Sequence, residues 1–195
     1  MQALRTAFRN ARERLRALAR ATRGSVIIEF AVACPVFVLL LLGGVDLSRL
    51  IMLHQKLDRV ASGLGDLVAQ ADELTQSQMG QIFEATAHVA NPFDFARDGV
   101  VIVSSISVTG GSPRINWQAT GGGSLVASSR IGSGSGSLVT LPAGLAVTGT
   151  DTLITAEVFF LFEPLFGLGF ISGSQLYHRS FFRPRVGSLK TLAGS

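Results

Sequence analysis

Charge is scarce in this sequence. Only 15% of its 195 residues are Asp, Glu, Lys or Arg, against about 25% in an ordinary globular domain. With 47% of residues apolar, an acidic or polyampholytic disordered chain is excluded, and a membrane segment is the first thing to look for. Cysteine occurs once, so there is no intrachain disulfide and no cysteine-based zinc centre. That residue, Cys34, falls inside an apolar run, where a thiol behaves as a small apolar group. The three histidines, His54, His88 and His178, are scattered and read as ordinary surface or half-buried residues.

Catalytic signatures are equally sparse. No GxxxxGK(S/T) segment is present, so nucleotide hydrolysis is not expected. GSGSG at 132–136 places Gly134 where a nucleophile elbow needs its serine. GLGFISG at 167–173 lacks dinucleotide-binding spacing and a βαβ context. Asp94 and Asp98 form a close carboxylate pair in the external part and read as a solvated turn. The chain is read as a non-enzyme, with no cofactor and no metal.

What charge there is lies at one end. Residues 1–24 hold seven Arg and one Glu, a net +6, whereas residues 25–195 sum to −2. The basic character belongs to the leader, and the remainder is a poor nucleic-acid binder. Within the leader, Leu4, Phe8, Ala11, Leu15 and Leu18 recur at steps of three and four with Arg on the other faces, the pattern of a basic amphipathic helix. Two readings fit it: a cytoplasmic stub that fixes orientation by its charge, and a helix lying on anionic lipid.

An apolar run follows. From Ser25 to Val45 there are 21 residues, and Glu29 is the only charge among them. As a helix the run is about 30 Å long, the thickness of a bilayer's hydrocarbon core. The arginines on its N-terminal flank orient it with that end in the cytoplasm. The long basic region, and the lack of an A-x-A-like site between the leucine run ending in Gly43-Gly44 and Arg49, argue that the run stays attached and is no secretory signal peptide.

Glu29 is out of place there, because an ionised side chain in hydrocarbon costs at least about 2.5 kcal/mol and needs a partner. One reading puts it at the cytoplasmic interface, within reach of headgroups. The other starts from Gly24. Cleavage after that residue would give Ser25 a new α-ammonium, one helical turn from the Glu29 carboxylate. The two charges could then neutralise each other within or between subunits.

At Arg23-Gly24-Ser25-Val26-Ile27-Ile28-Glu29-Phe30, continuing into AVACPVFVLLLLGGVDLSRL, the chain resembles a type IV prepilin. It is most similar to the TadE/TadF-like minor pilins of the tight-adherence (Flp) pilus system. The resemblance implies cleavage between Gly24 and Ser25 by a prepilin peptidase, with Glu29 as the recognition and assembly carboxylate. Phe30 takes the place of the tyrosine common in major Flp pilins. The strong part covers residues 23–50, including Pro35 and the D-x-x-R of Asp46 and Arg49. Weaker echoes occur in TLITAEVFFLFEPLFG and FFRPRVGSL. Length argues against a major Flp pilin and against TadG-like relatives, and no D-x-S-x-S adhesion signature is present.

Beyond Asp46, Leu50, Leu53, Leu57, Val60, Leu64 and Leu67 keep helical spacing, so one helix is expected from about residue 25 to 71. Gly63 and Gly65 weaken that pattern, and Pro35 predicts a local kink or melted turn. A second helix is expected over 75–90, ending at Asn91-Pro92. Strands are expected at 99–109, 114–119, 153–162 and 176–186. Residues 110–136 contain eight glycines and read as flexible connections around one or two short strands, or as a tip-exposed recognition surface. The apolar connection 163–170 is too short to span a bilayer and reads as core or a subunit contact.

The expected protein is α+β: a long N-terminal transmembrane helix packed on a small antiparallel sheet, pilin-like by the resemblance. Its parts are a basic cytoplasmic leader (1–24), a transmembrane and spine helix (25–71), and a periplasmic domain (72–195) with Gly/Ser-rich loops at 110–136. The expected role is a minor pilin or assembly protein at the bacterial inner membrane, single-pass, entering the extracellular pilus if it is a filament subunit. Its partners would be prepilin peptidase, other pilin subunits, the inner-membrane assembly machinery and the lipid bilayer, with no nucleic acid. Two competing readings are an uncleaved, signal-anchored periplasmic binding module and a membrane-tethered hydrolase. The second needs a buried cluster of titratable groups, for which the supply outside the leader is thin.

Overall fold

A computed structural model describes residues 25–145, 147–149, 151–169 and 171–193. The basic leader, with Gly24, lies outside the described residues. Helix α1, Ser25–Gln70, is 46 residues long. It stays helical through Pro35, so of the kink or melted turn expected there the melted turn does not form. Proline removes one backbone bond, and in apolar surroundings the cost of opening further bonds holds the rest of the turn closed. Two compact units divide the chain, Met1–Val45 and Asp46–Ser195.

In the first unit the described part is the apolar half of α1, and its side chains lie in the open. Ile27, Phe30 and Val32 are about as exposed as Leu40 and Leu41, at 66–71%. An 18-residue window of the helix reaches a mean hydropathy of 2.6 with none of it buried. Water does not support such a surface on a helix. This half is a single-pass membrane anchor.

The second unit contains the rest of α1, α2 (Gln76–Val89), α3 (Phe95–Asp98) and four strands: β1 (Gly99–Thr109), β2 (Ser112–Gly121), β3 (Thr152–Phe162) and β4 (Ser174–Phe182). The strands form one antiparallel sheet in the order β2-β1-β3-β4. The architecture is α+β, a long helix and a shorter one on a four-stranded sheet. Gly110 and Gly111 join β1 to β2 with both φ angles positive, at 63° and 80°. That is the two-residue hairpin geometry that matches strand twist. Thr75 caps α2 through a reciprocal capping box with Gln78.

One face of the sheet packs against the helices. Leu53, Leu57, Val60, Leu64 and Val68 of α1 are buried with Val101, Val103, Ala156, Val158 and Phe160 of the central strands. Leu67, expected on that stripe, is instead 54% exposed, and Val68 takes the inward place. After Leu64 a step of four, not three, returns to the inner face, because 3.6 residues make a turn. At Gly65 α1 lies against β4: a side chain there would run into the Phe182 ring.

The other face is also covered. β1 and β3 are buried along almost their whole length, although an antiparallel sheet commonly leaves one face wet. Within the Gly/Ser-rich region the strand expected at 114–119 is present and longer, as β2, Ser112–Gly121. The rest folds over the second face, where Ile131 and Val139 join Ile106, Ile115 and Leu153, while Leu125 and Ala127 pack against Val100, Ile102 and Phe159. Leu125, Ala127 and Ile131 therefore give this segment a packing role, while Val126 between them is 94% exposed. A strand as apolar as TLITAEVFFLF needs cover on both sides, and this segment provides the second cover.

Candidate functional site

The sequence directs attention to Gly24, Ser25, Glu29, Phe30 and Pro35. Gly24 lies outside the described residues, and Ser25 is the first residue of α1. Glu29 is exposed one turn further on, and Phe30 is 67% exposed. Ser25 and Glu29 are four positions apart on a helix, so they fall on the same face. A cleft lined by Ile28, Glu29, Val32, Ala33, Val36 and Phe37 runs along this surface. Carboxylate and apolar groups thus share one open helix face: the apolar groups suit lipid or other helices, and the carboxylate there calls for a partner or the headgroup zone.

Where the apolar run ends, the D-x-x-R residues have distinct tasks. Asp46 is 3% exposed, and its two carboxylate oxygens accept hydrogen bonds from the backbone N–H groups of Leu165 (2.7 Å) and Phe166 (3.1 Å). Bonds from N–H to a carboxylate are charge-assisted and stronger than neutral ones. The loop after β3 is therefore fastened to the helix by this one side chain. One turn on, the Arg49 guanidinium lies 5.8 Å from the centre of the Phe93 ring, within cation–π range. The loop itself is not core: Leu165 is 62% and Phe166 42% exposed. Its backbone is held while its apolar side chains face outward.

Two more polar clusters were not legible from spacing. His54 of α1 and His178 of β4 are hydrogen-bonded, Nδ1 to Nε2 at 2.9 Å, with Asp58 Oδ1 3.7 Å from His178 Nδ1. Burial, and the neighbouring His54, hold the His178 imidazole below the usual histidine range; Asp58 opposes that shift. These two histidines are therefore not scattered, because the fold brings together positions 124 residues apart. Only Asp58, four residues after His54 on the same helix face, hinted at a polar patch. Among the described residues no group of three or more His, Cys, Asp or Glu converges as a metal site.

The second cluster centres on Glu157, fully buried in β3. It accepts hydrogen bonds from the Arg130 N–H (2.9 Å), the Tyr177 hydroxyl (2.8 Å) and the Ser129 hydroxyl. The Arg130 guanidinium stacks 4.3 Å from the Tyr177 ring centre. Burial, together with the bond to Glu157, pushes the Tyr177 phenol well above its ordinary range. Its signal in the sequence was a single carboxylate inside an otherwise uncharged strand. Its three donors come from the covering loop and β4, so the cluster clasps that loop to the sheet. Asp94 and Asp98, read as a solvated turn, instead cap and pair: Asp94 accepts from the Arg97 N–H as the N-cap of α3, and Asp98 pairs with Arg97 at 2.6 Å. Arg97 in turn holds the Asp98 carboxyl below the usual range.

These features define a class: a single-pass membrane protein whose anchor helix runs on into the core of an α+β domain. Within that class, residues 24–63 match the family described as TadE-like protein. The matched span begins at Gly24, includes Glu29, Pro35, Asp46 and Arg49, and stops within the buried half of α1. The match is consistent with a protein associated with the Tad pilus. No curated protein and no solved structure is significantly similar to the chain.

Proposed function

We propose that the chain is a minor pilin or pilus assembly protein of a tight-adherence (Flp) pilus, without catalytic activity of its own. Prepilin peptidase removes the leader after Gly24, and Ser25 becomes the mature N-terminus. Glu29 then faces the new α-ammonium across one helical turn, in its own subunit or a neighbour's, and sets register while the apolar half of α1 packs. The leader stays cytoplasmic and the α+β domain periplasmic, by the charge asymmetry about the span. Partners are the peptidase, other pilin subunits and the inner-membrane assembly machinery.

The observation that carries this reading is where the TadE-like match falls. It opens on the glycine before the apolar run and takes in the one carboxylate five residues on. The exposed apolar half of α1 supports it, being a helix surface that needs lipid or other helices. The test is the N-terminus of the protein recovered from membranes of peptidase-containing cells. A chain beginning at Ser25, with cleavage lost in Gly24→Ala, is the expected result. A chain beginning at Met1 would overturn the pilin reading and leave an uncleaved, signal-anchored binding module.

A further inference from the structure

The loop after β3 is an apolar element whose backbone is fixed to the helix that crosses the membrane. From Pro164 to Tyr177 the sequence contains no charged residue. Leu165 and Phe166 are exposed, at 62% and 42%, and large apolar residues side by side in water mark an interaction surface. Their N–H groups are bonded to Asp46 at 2.7 and 3.1 Å. Asp46 directly follows Val45, the last residue of the apolar run, in an unbroken helix.

We infer that residues 164–168 form an interfacial loop that inserts Leu165 and Phe166 into the bilayer surface on the domain's side. A helix rises about 1.5 Å per residue, so Asp46 stands one step beyond the end of the apolar run. The polar headgroup zone extends about 5–7 Å beyond the hydrocarbon on each side. Any placement in which residues 25–45 span the hydrocarbon therefore puts Asp46, and the two N–H groups bonded to it, in that zone. Inserting a loop normally carries the cost of desolvating backbone N–H groups. Here the Asp46 carboxylate has already satisfied the two that matter, and two apolar side chains remain to gain from lipid. Leu47, the next residue on the helix, is also exposed, at 50%. The inference rests on the membrane-spanning reading of residues 25–45 and not on cleavage after Gly24.

The test uses the full chain with its only cysteine replaced, Cys34→Ser. Single nitroxide labels are then placed through Leu165→Cys, Phe166→Cys and, as a reference, Val126→Cys, a site 94% exposed. The protein is reconstituted in phosphatidylcholine–phosphatidylglycerol vesicles. Accessibility to oxygen, which partitions into lipid, is compared with accessibility to a water-soluble nickel chelate. A several-fold higher oxygen-to-nickel ratio at 165 and 166 than at 126 is expected. Equal ratios at all three sites would overturn the inference, placing the loop in water. Shielding from both reagents, with dipolar broadening that grows with the labelled fraction, would also overturn it and assign the loop to a contact between copies. Neither result depends on whether the chain begins at Met1 or Ser25, so failure here is separable from failure of the pilin reading.

Discussion

The two halves of α1 share a backbone geometry and little else. Up to Val45 most side chains are apolar and exposed; from Leu53 to Val68 the main apolar stripe is covered, with Leu67 outside it and exposed. Helix propensity distinguishes them poorly. The solvent does: an apolar surface all round requires lipid or other helices, and an apolar stripe requires one packed face. A single helix therefore serves as anchor and as core element, and the charged residues Asp46 and Arg49 stand near the change from one to the other.

The largest expected effect comes from breaking that difference. Leu57→Ala empties a fully buried site and should lower the domain's unfolding free energy by about 2–5 kcal/mol. Leu40→Ala, 66% exposed in the anchor half, should leave the domain's stability unchanged. Denaturant unfolding followed by the fluorescence of Trp117, the only tryptophan, measures both in the full chain in micelles. Equal losses would mean that the two halves are not in different surroundings.

The sheet repeats the comparison, with apolar helix cover on one face and a loop clasped by a buried carboxylate on the other. Glu157→Ala leaves the Tyr177 hydroxyl, the Arg130 N–H and the Ser129 hydroxyl without their acceptor. A loss of about 3 kcal/mol follows from stranding such buried donors. Amide exchange should show residues 122–140 opening before the helix face does. An unchanged exchange pattern would remove Glu157 from the role of clasp.

Smaller effects sharpen the contrast inside the buried half. A side chain at Gly65 meets the Phe182 ring, whereas one at Gly63 meets nothing. Gly65→Ala should cost about 1–3 kcal/mol through overpacking, and Gly63→Ala should gain about 0.5–1 kcal/mol through helix propensity. Opposite signs in thermal unfolding are the expected readout. Two losses would place Gly63 against a surface as well.

The smallest effect is on pH. In the folded chain His178 binds its proton less readily than an ordinary histidine, because burial and His54 disfavour the charge. The unfolded chain therefore takes up the proton first as pH falls through about 6.5, the ordinary histidine value. Stability from this group is complete above that pH and is lost below it, down to the folded value. Asp58 faces the same ring and limits the loss. The drop in melting temperature between neutral pH and pH 5 should be shallower in His178→Gln, and an identical slope would assign the acid sensitivity elsewhere.

How much was legible depended on whether the signal was local. The exposed apolar half of α1 follows from an uninterrupted run of residues. β1 and β3 follow from β-branched and aromatic runs, and the end of α2 follows from Asn91-Pro92. Leu67 was misplaced because a step of three and a step of four look alike until a partner surface chooses between them. Residues 122–140 were obscure for a different reason: glycine and serine permit many backbones, and the demand for cover came from strands elsewhere in the chain.

Local sequence was enough for the anchor, the charge asymmetry about it, the α+β class, and the resemblance of residues 24–63 to the TadE-like family. Each is written in neighbouring residues, where periodicity and composition act over a few turns. Only the tertiary structure decided that Asp46 holds the backbone of Leu165 and Phe166, that His54 meets His178, and that Glu157 fastens a loop to the far face of the sheet. Those contacts join positions 27 to 124 residues apart. No local preference encodes such pairings, which form because a polar group leaving water must find its partner wherever packing has placed one.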